Sequence, residues 1–254
     1  MEMSKFRSSD GVIFNINQKY LEVTTEGFPS SSVNGSTATA VPDEIIPLTE
    51  SSATLKLLFK FVHPKDQPDL WDLEFSALMD LANAAEKYIV YNAINVCQIR
   101  MRDFLPEHVQ ELFEFGATYN HPSLLAAAAP LLVHKPLEDV IYKLPVDIYR
   151  PWSLYRDRVL RACNIIAASA GACCTQSCLI DKYRRLILES PANLFKMERW
   201  MSPSRNHDGP NLCTCVNRPC CSEYVEWKTR ALAQVRAVPD FKAVLTAYRA
   251  LSRN

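Results

Sequence analysis

Glycine is scarce, with six in 254 residues. No G-x-G-x-x-G, P-loop or G-x-S-x-G pattern occurs, so no glycine-rich turn cradles phosphate and no strained elbow presents a serine nucleophile. An excess of charge of either sign is also lacking: 28 lysines and arginines balance 28 aspartates and glutamates. Sequence-independent binding to nucleic acid draws on surplus cations that displace counterions from phosphates, so no nucleic-acid partner is expected. There is no run of about 18 apolar residues, and no apolar signal core follows Met1-Glu2-Met3-Ser4-Lys5. The expectation is an intracellular protein of the cytoplasm, the nucleus or both, without membrane contact. The sequon Asn34-Gly35-Ser36 is then accidental.

What is present is ordinary for a globular chain: 48% apolar and 22% charged residues, with length for one large domain or two small ones. Cysteine is the exception, at nine. Cys97 stands alone in a helical pattern, and the other eight lie after residue 160. Cys173-Cys174-x-x-x-Cys178 is followed, beyond residues 179–212, by Cys213-x-Cys215 and Cys220-Cys221. Zinc favours four thiolates or imidazoles in a tetrahedron. Cys178, Cys213, Cys215 and Cys220 (or Cys221) form a conceivable set, with His207 as a substitute. The spacings C-x-C and C-x4-C differ from the usual C-x2-C knuckle, so structural zinc, free thiols, and disulfides or acylated cysteines all stay open. Structural zinc apart, no cofactor is expected.

Residues 5–17 read as a hairpin around Asp10-Gly11, a dipeptide suited to positive φ, with Val12, Phe14 and Ile16 on one face. A short helix from about Gln18 to Thr24 follows, then a Ser/Thr/Gly loop over 30–42. Asp43 to Leu48 reads as a third strand, with Pro47 confined to its edge or end because it has no N–H for a ladder. Thr49-Glu50-Ser51-Ser52 signals a helix start, behind which Leu55, Leu58, Phe59 and Val62 recur until His63-Pro64. After a Pro/Asp loop carrying Leu70 and Trp71, the chain turns helical. Its apolar stripes are Phe75–Ile89, Ala93–Met101, Val109–Gly116 after Pro106-Glu107, and Leu124–Leu132 after Pro122. Leu78, Leu81, Ala85, Tyr88, Ile94 and Cys97 are echoed 31 residues on by Val109, Leu112, Gly116, Tyr119, Leu125 and Ala128, as two successive helical hairpins would be. Tyr149, Trp152 and Tyr155, and Tyr224 with Trp227, read as core at helical spacing.

Several of these segments resemble a BTB/POZ domain. Ser8-Ser9-Asp10-Gly11-Val12-Ile13-Phe14-x-Ile16, with Leu21, resembles its opening, where an aspartate-led strand precedes an F-x-V-H-K-x-x-L signature and a helix ending in phenylalanine, here Phe28. Glu44–Leu48 and Leu55–Pro64 resemble the third strand and following helices. Ala82-x-x-Ala85-Glu86-Lys87-Tyr88 resembles the "A-x-K-Y" helix, and Glu107–Val133 the extension that often follows. Gln67-Pro68-Asp69-Leu70 and Trp152-x-x-Tyr155 are similar to the large fungal group of these proteins.

The resemblance implies an α+β fold: a small three-stranded sheet capped by helices over 5–105, a BACK-like helical extension over 106–170, and a cysteine-containing helical region over 171–254. It implies a protein-interaction module rather than an enzyme, acting as a scaffold, a transcriptional regulator or a substrate adaptor for a cullin-type ubiquitin ligase. Partners would be other proteins, a cullin or a second copy among them. Contact would fall on the helices carrying Leu55, Leu58, Phe59, Leu112 and Phe113. Asp10 matches an aspartate that lines a pocket near the family's dimer interface. Asn17 and Gln18 stand where the family has histidine and a basic residue, and the exchanged N-terminal segment of some relatives has no counterpart here. Both departures place the homodimer in doubt. The alternative from another class is a zinc-stabilised regulatory or nucleic-acid-associated protein using the C-terminal cysteines. A cysteine hydrolase would need His207 beside Cys174, Cys178 or Cys213.

Overall fold

The Asp10-Gly11 dipeptide makes a turn. A computed structural model of the chain describes residues 3–29, 45–64, 67–105, 107–169, 179–202 and 220–252. In it Gly11 takes φ +87°, a region open to glycine. Its N–H donates to Ser8 O at 3.0 Å, and the Ser8 N–H donates to Val12 O at 2.9 Å. The flanking strands, β1 (Met3–Arg7) and β2 (Ile13–Asn17), pair antiparallel with Phe6 opposite Phe14. Val12, expected on the buried face, belongs to the turn and is exposed, because the connection runs through it before the ladder resumes.

Asn17 caps the next helix, α1 (Gln18–Thr24), its Oδ1 accepting from the Lys19 N–H at 3.0 Å. The expected loop over 30–42 lies outside the described residues. β3 (Ile45–Pro47) then joins β1 in parallel, giving the order β2-β1-β3. Pro47 is its last residue and sits on an outer strand, where a missing N–H breaks no ladder. Ser51 caps α2 (Ser52–Val62), its Oγ accepting from the Thr54 N–H, and His63-Pro64 ends it. The hairpin of α3 (Phe75–Lys87) and α4 (Tyr91–Met101) follows, then a 3-10 turn at Arg102–Phe104.

The chain divides into two compact units, Met1–Leu105 and Pro106–Asn254. The core of the first is aromatic at its centre. Phe6 packs on Phe28 and Phe59 at 5.4 and 5.7 Å between ring centroids, and Phe28 stacks on Tyr88 at 4.3 Å. Leu55, Leu58, Phe61, Leu78, Leu81 and Met101 complete it, all fully buried. Each such side chain contributes roughly 1.5–3 kcal/mol relative to an exposed one.

The described part of the second unit is helical. It runs through α5 (Val109–Thr118), α6 (Pro122–Leu132), α7 (Leu137–Ile141), α8 (Val146–Ala168), α9 (Leu179–Glu189), a 3-10 turn at Pro191–Lys196, α10 (Met197–Met201), α11 (Cys220–Ala237) and α12 (Phe241–Leu251). Pro122 opens α6 at its first position, as expected. α5 begins at Val109, with Glu107 in a preceding turn and Pro106 outside the described residues. The core joins helices from both sides of residue 170: Phe241 of α12 packs on Phe113 of α5 at 5.8 Å and on Tyr155 of α8 at 5.6 Å. Trp152, Tyr155 and Trp227 are fully buried. In each unit, then, one mixed or helical core is closed by a few large rings, and the whole is α+β with a small three-stranded sheet.

The echo at 31 residues has a structural basis. α3 and α4, and separately α5 and α6, are antiparallel hairpins closed by the same turn. Ile89 and Asn120, 31 apart, both take a left-handed conformation at φ 50° and 58°. After each, the N–H of Val90 or His121 reaches back five residues to Ala85 O or Gly116 O, at 2.9 and 2.8 Å. This is the hydrogen bond that satisfies a terminal carbonyl when a helix ends in a left-handed residue.

Candidate protein-binding surface

The expected contact residues lie inside the protein. Leu55, Leu58 and Phe59 face the core of the first unit, and Leu112 and Phe113 that of the second; all five are buried. Their helical spacing marked the inward stripe of α2 and α5, and a buried stripe has no surface to offer a partner. On the same helices Lys56, Lys60 and Glu111 are exposed instead.

Asp10 and Gln18 have separate partners. The Asp10 carboxylate sits at the start of α2, accepting from the Ser52 N–H at 2.9 Å and the Ser52 Oγ–H at 2.6 Å. The Ser52 hydroxyl, with Ser8, holds its pKa down to about 2. Gln18 opens α1 and donates to Glu22 Oε1 at 3.0 Å. Asp10 is thereby a structural anchor between the hairpin turn and α2.

Cys178, Cys213, Cys215 and His207 lie outside the described residues. Cys220 opens α11. Among the described residues no three histidine, cysteine, aspartate or glutamate side chains are grouped to hold a metal ion. Cys97 and Cys163 are buried thiols, raised by burial to about 12 and about 11, and so poor nucleophiles. No described helix is long and apolar enough to cross a membrane.

The A-x-K-Y segment builds a polar clasp. Lys87 Nζ donates to Thr49 Oγ1 and Glu50 Oε1, both at 2.7 Å, and Tyr88 Oη donates to Glu50 Oε2 at 2.5 Å. Burial works against the charge of Glu50, but the Lys87 and Tyr88 bonds outweigh it and lower its pKa. Burial, then the bond to Glu50, pushes Tyr88 up to about 12. The clasp ties the end of α3 to the segment entering α2, with every group partnered within the protein.

A different constellation is presented outward. Trp71 is 69% exposed and Ile99 is 68% exposed, against buried tryptophans at 152 and 227. With Pro68, Leu70 and Val96 they line a groove of about 150 Å³ in the first unit. Arg100 holds this surface in place. Its Nε donates to Leu70 O at 3.1 Å, Nη2 to Trp71 O at 2.8 Å, and Nη1 to Asp103 Oδ2 at 2.8 Å. Its guanidinium also lies over the rings of Trp71 and Phe104, at 5.5 and 4.6 Å from their centroids. Asp69 Oδ1 accepts from the Trp71 N–H at 3.0 Å, which fixes the turn. In the sequence Trp71 reads as a loop residue, and no stripe includes Ile99 or Arg100. The available signals were a tryptophan in a loop without apolar period, and an isoleucine off the Ala93–Cys97–Met101 stripe of α4.

A larger groove of about 480 Å³ in the second unit is lined by Glu107, Glu111, Lys135, Asn193 and Lys196 among others. The amides of Gln110 and Asn193 already donate to Asp139 O and Leu186 O, and the charged residues of the lining are of both signs. Compared with known proteins, the chain matches no family model, no curated protein and no solved structure.

Proposed function

We propose that the chain is a protein-interaction module whose first unit is a degenerate BTB/POZ-like domain and whose partner-binding surface is the Trp71–Ile99 groove. The observation that carries this is the pinned, exposed tryptophan. Tryptophan and arginine dominate the energetic centres of protein interfaces, and a surface already held in its bound form loses less entropy on association. The support for the BTB/POZ-like identity is the order of elements in the first unit: hairpin, helix, edge strand, capped helix, then a helical hairpin carrying the Lys87-Tyr88 clasp. Use as a scaffold needs nothing beyond such a surface. Use as an adaptor for a cullin-type ubiquitin ligase follows from the resemblance and calls for a cullin among the partners.

The test is site-specific. A photo-crosslinking amino acid is placed at Trp71 in the full chain, and at exposed Val23 as a control, and both are irradiated in extract from the protein's own source. The proposal expects a discrete crosslinked protein at position 71 that is absent at 23, identified by mass spectrometry. Identical products at the two positions would remove the groove as the contact surface. A cullin among the products specific to 71 favours the adaptor, and another protein the scaffold.

A further inference from the structure

We infer that the Trp71–Ile99 groove takes a short peptide segment of a partner protein, anchored by one apolar side chain and flanked by lysine or arginine. This rests on the reading of that groove as the contact surface, and three properties of it define the occupant.

The first is size. A space of about 150 Å³ matches a cavity that holds one benzene-sized group, so it accepts a single leucine, methionine or phenylalanine side chain rather than a folded face. Its walls suit such an anchor: the indole of Trp71, Ile99, Val96, Leu70 and Pro68.

The second is charge. Among the described residues lining the groove, the charged ones are Asp69, Asp103 and Arg100. Arg100 and Asp103 face each other at 2.8 Å and cancel, and the rest of the guanidinium is committed to two backbone carbonyls and two rings. Asp69 is left, joined on the same turn by Asp72; both are exposed. The rim is therefore acidic although the whole chain is neutral. Facing charges of opposite sign steer encounter and select partners. An acidic segment would meet repulsion here, and an uncharged one no steering.

The third is rigidity. Arg100 and Asp69 fix the Trp71 backbone from two sides, so the groove needs no closure around its ligand. A flexible segment can supply the ordering instead, at the moderate affinity typical of such segments.

The experiment is a random peptide library panned on the full chain. Enriched sequences are synthesised and titrated by fluorescence anisotropy against the native protein, Trp71→Ala, and Asp69→Asn/Asp72→Asn. Asparagine keeps an acceptor for the Trp71 N–H, so the double variant removes charge and keeps the turn. The inference expects enriched peptides with one apolar anchor and lysine or arginine within a few positions. Affinity should fall about tenfold in Trp71→Ala, and about threefold or more both in the double aspartate variant and on raising salt. Peptides that bind through Trp71 yet are acidic or uncharged, and indifferent to salt, overturn the basic occupant and leave the groove standing as a contact surface. Peptides none of which depends on Trp71 overturn both readings. A concentration-dependent dimer of the native protein that Trp71→Ala abolishes assigns the groove to a second copy and also overturns the inference.

Discussion

Gly27 occupies a position that no other residue can fill without moving backbone. A Cβ there would lie 2.7 Å from Lys87 O and from the Tyr88 carbonyl carbon, while the Gly27 N–H donates to Tyr88 O at 3.0 Å. Backbone cannot yield as the tip of a side chain can, so Gly27→Ala is expected to cost about 2–3 kcal/mol by overpacking, measured as a lower urea midpoint. Asp10 contributes through its charge. Its pKa in the folded protein, about 2, lies below that of an unfolded aspartate, about 3.9. The stabilisation is therefore complete above the unfolded value and disappears as pH falls from about 4 towards 2. Glu50, lowered by Lys87 and Tyr88, acts in the same sense. Over that window the urea midpoint of Asp10→Asn should decline less than that of the native protein; equal declines would show that Asp10 has no part in the acid sensitivity. The Asp10-Gly11 turn was legible in the sequence because positive φ depends on a local pair of residues. The restriction at Gly27 was not, because it comes from Lys87 and Tyr88, 60 and 61 positions away.

At the scale of elements, the helices follow from their apolar period and their ends from capping chemistry: Asn17, Ser51 and Asp240 each accept from a first-turn N–H. The two helical hairpins closed at Ile89 and Asn120 were legible as a faint repeat because the same closing turn imposes the same spacing on the residues around it. α8 carries a different lesson. Trp152 of α8 and Trp227 of α11 are both fully buried, but Trp227 Nε1 donates to Ile166 O at 3.3 Å and Trp152 Nε1 has no partner among the described residues. A buried N–H without an acceptor already bears a desolvation penalty. Replacing tryptophan by phenylalanine removes similar volume at both sites, but only at 227 does it break a hydrogen bond, while Ile166 O keeps the one it accepts from Ser169 Oγ at 3.0 Å. Trp227→Phe should therefore be the more destabilising by about 1 kcal/mol, compared by urea unfolding followed by circular dichroism. The tryptophans were visible in the sequence as core, whereas which of them is satisfied depends on a carbonyl 61 residues away.

At the scale of the whole molecule, two units each enclose their own core, and the distinction between core and contact surface becomes a distinction between kinds of mutant. Phe113 is fully buried against Trp152 and Phe241, so Phe113→Ala should destabilise by about 3–5 kcal/mol. Trp71, two-thirds exposed, should tolerate alanine within about 1 kcal/mol while losing partner binding. Thermal unfolding of the two variants beside a binding assay checks this; a large loss of stability in Trp71→Ala would make Trp71 structural. By itself the sequence determined the hairpin turn, the helix starts and the apolar stripes, because each depends on neighbours within a turn or two of chain. Only the tertiary structure decided which way those stripes face. Leu55 and Phe113 satisfied the pattern for a core and for a docking face equally well, and packing turned them inward. Trp71 and Ile99, which fitted no stripe, were left outside and held there by an arginine about 30 residues from the loop it pins. Local chemistry can set an element, but exposure belongs to the surroundings, and those are made by residues remote in the chain.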